Sequence, residues 1–289
     1  MDIRSALANL NENLRNITDT PQLDAQVLLA HVLGQSRSWV ITHLDSPLDS
    51  SQADSVRASL SKLQAGTPLP YLLGHWEFYG LDFEVTPDVL IPRPETELLI
   101  EHAITFLKTR DRTRFSSLRA ADVGTGSGCI AVTLTHHLPD LRVTATDLSL
   151  PALEVAKRNA AKHRVAHRVD FLQCDLLPPH FDPLPTESHF DVICANLPYI
   201  PSEAVPGLPI FGREPTLALD GGPTGLDIIR RLLTIAPEWL APQGLILLEI
   251  EASLGMQALS LAFNMFAEAT IHLHQDLSGK DRLVEIALP

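Results

Sequence analysis

Three polar clusters hold the chemistry open to this chain of 289 residues, and each follows a run of apolar or β-branched residues. The first is Asp122-Val123-Gly124-Thr125-Gly126-Ser127-Gly128, followed by the apolar stretch CIAVTL. Glycines let a backbone turn tightly and approach a ligand closely, and the helix after them presents free N–H groups. The spacing is GxGxG rather than the GxGxxG of dinucleotide binders, and no Lys-Ser/Thr pair comes after it as in a phosphate-binding P-loop. The second cluster is acidic. Asp147 closes VTATD nineteen residues after Gly128, where a carboxylate can accept both hydroxyls of a ribose. Asp175 closes FLQCD at the equivalent place on the next strand and suits an adenine amino group, with Leu176 packed on the ring. Either aspartate also reads as a helix N-cap. The third cluster is Asn196-Leu197-Pro198-Tyr199, which begins where FDVICAN ends. The Asn196 oxygen and the Leu197 carbonyl can accept the two hydrogens of a planar NH2 group, Pro198 stiffens the turn, and Tyr199 offers a flat face. The plainer alternative is an Asn-x-Pro turn.

Such clusters need strands to carry them. From residue 95 onward, strand-like runs at Arg119–Val123, Arg142–Asp147, Val169–Cys174, Phe190–Ala195 and Leu245–Glu251 are predicted. Helical patterns lie between the first four, and Leu226–Leu240 forms a further helix. Two late runs, near Ala269–His274 and Leu283–Leu288, can close the sheet as a hairpin. The alternation predicts an α/β fold with a mostly parallel, Rossmann-like sheet of seven strands, whose ligands bind beyond the strands' carboxyl ends. All three clusters fall there.

Residues 1–67 read differently. Ile3, Leu7 and Leu10, then Leu23, Val27, Leu28 and Leu33, then Val56, Leu60 and Leu63 follow helical spacing, with Gly34 as a stop. These predict a small helical bundle, either a stabilising cap or a partner-recognition module. A connector over 68–94 carries a hairpin about Tyr79-Gly80 and the extended Pro92-Arg93-Pro94, before the domain of residues 95–289.

Composition narrows the class. Apolar residues make up 45% and charged residues 20%, as in globular chains. The net charge is −13, with 5 basic and 11 acidic residues in 1–90 and 17 and 24 in 91–289. So acidic a surface argues against non-specific nucleic-acid binding, which draws on Lys and Arg at phosphates. Cys129, Cys174 and Cys194 are too scattered for a disulfide framework. No apolar run reaches the ~18 residues of a membrane helix, and the chain is expected to be soluble, cytoplasmic and monomeric.

DVGTGSG, the aspartate on the second strand and NLPY after the fourth together resemble class I S-adenosylmethionine-dependent methyltransferases that act on planar amino groups. PLPYLLGHWEFYGLDFEV, VLIPRPETELLIE, GREPTLALDGGPTGLDIIRRLL, LLEIE and DLSGKDRLVEIAL are similar to one branch, the peptide chain release factor glutamine methyltransferases (the HemK/PrmC family). The resemblance runs from about residue 65 to 289, and the N-terminal helices fit the family's accessory domain. It implies S-adenosylmethionine as cofactor. Gly124, Thr125, Gly126, Ser127 and Gly128 would hold its methionine end, Asp147 its ribose, and Asp175 and Leu176 its adenine. Asn196, Leu197, Pro198 and Tyr199 would bind the glutamine, with Asn196 also beside the cofactor and Asn196 and Tyr199 as the catalytic pair. The implied substrate is the GGQ glutamine of class I release factors, docked with help from the N-terminal bundle. The family's usual Pro is Leu197 here, and a glycine usual after Glu-Ile is absent.

Amide methylation needs orientation more than a strong base, because nitrogen that has accepted a methyl group sheds its proton readily. A metal is not expected. The twelve histidines, His136, His137, His272 and His274 among them, show no ligand spacing with Cys or carboxylates and read as solvated or capping groups. Arg93, Glu95, Glu97, Glu249 and Glu251 read equally well as structural or as pocket-lining charges. Three rival classes are a nucleic-acid amino methyltransferase (adenine-N6 or guanine-N2), an NAD-dependent oxidoreductase, and a catalytically silent S-adenosylmethionine-binding scaffold. The first needs a basic groove, the second needs GxGxxG, and the third could dispense with Asn196 and Tyr199.

Overall fold

The computed structural model describes residues 1–110, 118–178 and 189–289. Contacts divide the chain into two compact units, Met1–His75 and Trp76–Pro289. The first is helical: α1 (Ile3–Leu14), α2 (Pro21–Leu33), α3 (Arg37–Thr42), α4 (Ser50–Gln64) and α5 (Leu69–Leu73). Local chemistry sets their ends. Asp2 caps α1 by accepting from the Ser5 N–H, Asp49 and Gln52 form a reciprocal capping box on α4, and Gly34 closes α2 at φ +61°. Ile3, Leu10, Leu14, Leu28, Leu29, Val40, Val56 and Leu63 fill the core, with Leu7, Leu33 and Leu60 packed against it, whereas Leu23, which the helical spacing put on the same face, is exposed.

The second unit opens with a hairpin, β1 (His75–Phe78) and β2 (Leu81–Glu84), turned by Tyr79 at φ +51° and Gly80 at φ +74°. Two left-handed residues in a two-residue loop match the twist of the flanking strands. The segment 68–94 therefore divides: α5 packs on α2 and α4, and the hairpin belongs to the second unit. Next come α6 (Thr96–Thr109), β3 (Leu118–Val123), α7 (Cys129–His137), β4 (Leu141–Asp147), α8 (Leu150–Lys162), β5 (Val169–Gln173) and β6 (Phe190–Ala195). Beyond a long loop lie α9 (Asp227–Ile235), β7 (Leu240–Glu249), α10 (Gly255–Met265), β8 (Thr270–Gln275) and β9 (Asp281–Ala287).

β3 to β9 form one seven-stranded sheet in the order β5-β4-β3-β6-β7-β9-β8. β9 alone runs against the others, since it pairs antiparallel with both β7 and β8. Strand order reverses between β3 and β6, and the crevice beyond the carboxyl ends at that reversal is where such sheets bind ligands. Apolar cores cover both faces.

Most strand ends fall within one or two residues of expectation, and the larger departures are at α9 and β7. The helix predicted over Leu226–Leu240 ends at Ile235, because Pro237 has no N–H to continue it, and a short 3-10 turn, Ala236–Glu238, intervenes. β7 starts at Leu240 rather than Leu245 and stops at Glu249 rather than Glu251, which instead caps the turn Ala252–Leu254 through the Ser253 N–H. The helical pattern expected between β5 and β6 falls largely on 179–188, outside the described residues.

Candidate active site

The register of β3, β4 and β6 brings members of all three clusters side by side. Val123 lies opposite Thr146 on one side and Ala195 on the other, so Gly124 is flanked by Asp147 and Asn196. The glycine loop is braced from below by Asp122, whose buried carboxylate accepts from the Thr125 hydroxyl (2.5 Å) and the Ala131 N–H (3.0 Å). Gly124 and Thr125 both donate their N–H groups to the Thr146 carbonyl, each at 2.9 Å. Asn159 on α8 adds a strut: its side chain donates to the Ser127 carbonyl and pairs with both the N–H and the C=O of Glu84.

Two glycines here answer to space as well as to φ. A Cβ on Gly124 (φ +73°) would come within 3.0 Å of the Leu197 side chain, and one on Gly128 (φ +80°) within 3.0 Å of Ala156 on α8. Leu197, in the place of the family's usual Pro, thus rests its buried side chain on the glycine loop.

Asp147 lines the cavity and is only partly exposed. Oδ2 accepts from the Gly126 N–H (2.9 Å) and Oδ1 from the Ser149 N–H (2.8 Å). Burial raises its pKa, and those N–H donors oppose the rise. The helix cap that Asp147 could have supplied is made by Ser149, which accepts from the Ala152 N–H. Asp175 is ion-paired with Arg231 on α9. Leu176 takes φ +66°, a strained value for a branched residue.

These residues wall a cavity of about 320 Å3, within the usual range for ligand pockets. Gly124, Thr125, Gly126, Ser127, Asp147, Asp175, Leu176, Asn196, Leu197 and Pro198 all line it; Gly128 and Tyr199 do not. Tyr199 packs against the core, with burial raising its pKa further and Glu249, Arg282, Arg93 and Glu95 as the charged groups that act on it. Cys129 lines the cavity as well, but burial pushes its thiol up to about 12, so it is protonated at neutral pH.

Several charged residues left open by the sequence acquire partners. Glu214 accepts from Arg93 (2.5 Å) through one oxygen and from the Ile91 N–H (3.2 Å) through the other, clamping PRPETE to GREPT. Glu97 accepts from the Tyr79 N–H and so anchors the hairpin turn. Arg282 reaches Asp276 at 2.9 Å and Glu95 at 3.5 Å. The loop leading into α9 packs tightly on the third cluster: a Cβ on Gly221 would stand 2.6 Å from the Pro198 carbonyl oxygen and 2.7 Å from the Tyr199 Cα.

One residue of the site was not singled out from the sequence, and another was left undecided. Thr96, the first residue of α6, is buried, lines the cavity and accepts from the Asn196 Nδ2 at 3.1 Å. Glu249, the last residue of β7 and open to either reading in the sequence, is buried beside both. Their segments lie far from Asn196 along the chain, and only the sheet order brings them to it. A further grouping that spacing could not reveal is His102, His274 and Glu285, from α6, β8 and β9. Their ligand atoms lie within 4.8 Å of one another, with His102 2.8 Å and His274 3.2 Å from the Glu285 carboxylate, and none of the three lines the cavity.

Sheet order, glycine loop and the acid and amide at adjoining strand ends define a class I methyltransferase. Residues 120–208 match the model of a methyltransferase domain, and residues 5–74 match that of the PrmC N-terminal domain. The chain is 42% identical over 284 residues to the release factor glutamine methyltransferase of Moorella thermoacetica, spanning 98% of this chain and 97% of that one. It is 38% identical to the protein of that name from Rhodopirellula baltica, over 93% and 90% of the two chains. Among solved structures, the hMettl16 catalytic domain shares the fold with a TM-score of 0.54 at 15% identity, over 73% of this chain and 79% of that one. The chain belongs to the release factor glutamine methyltransferase family.

Proposed function

We infer that the chain transfers a methyl group from S-adenosylmethionine to the side-chain amide nitrogen of the glutamine in the GGQ motif of class I peptide chain release factors. One observation carries this: Asn196 lines the cavity while its Nδ2 donates to the buried Thr96 oxygen, an orientation that offers its carbonyl oxygen to a substrate. An acceptor there, next to the Leu197 carbonyl, suits a substrate that offers two N–H donors.

The residues present fit the cofactor. Gly124, Thr125, Gly126 and Ser127 line the cavity where the methionine end would lie, and Gly128 closes the loop behind them, with no room for a Cβ at Gly124 or Gly128. Asp147 keeps lone pairs on both oxygens for the ribose hydroxyls. Asp175 and Leu176 would flank the adenine, with Arg231 holding the Asp175 carboxylate. Bound there, S-adenosylmethionine supplies an electrophilic sulfonium methyl group. Asn196 Oδ1 and the Leu197 carbonyl accept the two amide hydrogens and set the nitrogen in line, which matters because its lone pair is delocalised into the carbonyl. The same acceptors favour the positive charge that develops on nitrogen. Pro198 stiffens the turn, and Tyr199, packed on the core behind it, backs the turn that would hold the glutamine side chain. No nucleophilic side chain is needed, in keeping with the protonated Cys129. The helical unit, expected over 1–67, helps to dock the release factor onto the domain of residues 95–289 across the connector 68–94. The protein works as a cytoplasmic monomer, without direct nucleic-acid contact.

Mass spectrometry of the release-factor GGQ peptide after incubation with enzyme and labelled cofactor tests this. The label is expected on the glutamine amide, and Gln→Ala in that motif abolishes it. Asn196→Ala lowers turnover about 100-fold while leaving cofactor affinity within a few fold. An inert release factor alongside labelled RNA or DNA would sink the assignment.

A further inference from the structure

We propose that Glu249, together with Thr96, is a positioning residue that locks the Asn196 amide in the orientation productive for methyl transfer. Glu249 is 3% exposed and Thr96 1% exposed. β6 and β7 pair in parallel with Ala195 opposite Leu248, so Asn196 and Glu249 leave their strands side by side. Asn196 Nδ2 donates to the Thr96 oxygen at 3.1 Å, and the side chains of both Thr96 and Asn196 face the Glu249 carboxylate, where their donors favour its charged form.

That triangle has only one consistent set of protons. An ionised carboxylate accepts and never donates, so the Thr96 hydroxyl must give its hydrogen to Glu249. The Thr96 oxygen is then left as an acceptor for one Asn196 hydrogen, and Glu249 takes the other. Both amide donors are thereby spent, and Oδ1 is the group that remains for the substrate. If Glu249 carries a proton, or is replaced by an amide, it can donate. The constraint is lost, and a flipped Asn196 presents NH2 to the substrate's own NH2, donor against donor. The second Glu249 oxygen, Oε2, is buried without a hydrogen-bond partner. The group is thus held for what one oxygen does, at the desolvation cost of both.

The groups facing Glu249 from neighbouring elements set when it is ionised. Burial raises its pKa to about 7, Glu95 at the start of α6 raises it further, and the Thr96 and Asn196 donors and Arg282 on β9 oppose the rise. Tyr199 and Cys129, also nearby, are both driven towards their neutral forms by burial. The lock is therefore expected to open as pH falls below about 7.

Glu249's role presupposes the amide methyl transfer proposed above, and the experiment separates the two. Turnover and KM of the full chain are measured on a release factor between pH 5.5 and 9, with calorimetric S-adenosylmethionine affinity, for the wild type, Glu249→Gln, Thr96→Val and the double variant. The expected wild type loses kcat on the acid side with a midpoint near 7. Glu249→Gln is expected to lower kcat about 100-fold with KM and cofactor affinity within about threefold, and to abolish the acid limb. Thr96→Val lowers kcat in the same sense, and the double variant is no worse than Glu249→Gln, as residues acting as one unit require. An acid limb that persists in Glu249→Gln belongs to another raised carboxylate, Asp122 or Asp147, and overturns the proposal. So does a fall in kcat matched by an equal loss of cofactor affinity, which marks a merely structural role. If Glu249→Gln does not fold, Thr96→Val decides by its own kcat, KM and cofactor affinity. An inactive wild type defeats the methyl-transfer reading itself; an active wild type with indifferent variants defeats only the role of Glu249.

Discussion

Asp122 carries a cost that the glycine loop repays in geometry. Both of its hydrogen bonds fall on Oδ2, while Oδ1 is buried without a partner. Burial raises its pKa to about 7 against an ordinary value of 3.8. A carboxylate whose pKa is higher folded than unfolded stabilises most below the unfolded value, and that contribution is lost as pH rises through the folded one. Asp122→Asn keeps an acceptor for Thr125 and Ala131 but has no charge to bury. Its stability is expected to gain on the wild type between about pH 4 and 7 and to level off above, with a matching rise in melting temperature, the gain being bounded by about 4 kcal/mol. A pH-independent difference in thermal melts would contradict this. At this scale the sequence was legible where a side chain and its neighbours are contiguous: Gly124 to Ser127, Asp147 and Asn196 all reach the cavity from strand ends visible in the chain. It was not legible for Thr96 and Arg231, and it left Glu249 undecided, because their partners lie on other elements and meet them only through sheet order.

Elements, rather than single residues, hold the third cluster in place. Gly221 gives its N–H to the Ile200 carbonyl (2.8 Å), and Ile200 gives its own to the Leu219 carbonyl (3.0 Å), so the GREPTLALDGG loop runs alongside the chain after NLPY. No side chain fits between them. Gly221→Ala is expected to displace the Pro198–Tyr199 backbone, to destabilise by about 1–3 kcal/mol and to lower turnover by about tenfold or more. Urea unfolding and kcat measured together check it, and unchanged values of both would show that the loop yields without disturbing the turn. The order of strands and helices was readable from alternation of apolar runs. Their limits were less so: β7 and α9 share a stretch whose hydrophobicity is continuous, and Pro237 divides it where periodicity alone extends the helix. The clamp of Arg93 and Ile91 on Glu214 likewise joins two segments more than a hundred residues apart.

The whole molecule presents two units that are both acidic by composition, and its net charge is −13. Proteins that bind nucleic acid without sequence preference draw most of their affinity from released counterions, which needs clustered Lys and Arg. Long RNA or duplex DNA added at physiological salt is therefore expected neither to accept label nor to inhibit release-factor methylation by more than about twofold. Inhibition that weakens steeply with added salt would reveal a basic groove that the composition does not suggest. No helix among the described residues is long and apolar enough to cross a membrane.

The contact between Gly124 and Leu197 has a historical side. The Leu197 side chain, buried in the core, occupies the space that a Cβ on Gly124 would need. Any lineage that gains a side chain at 124 must first shed volume at 197, and a lineage that enlarges 197 closes the way back to anything but glycine at 124. Drift in the substrate turn and drift in the cofactor loop are thus ordered events, each step fixing which steps remain open.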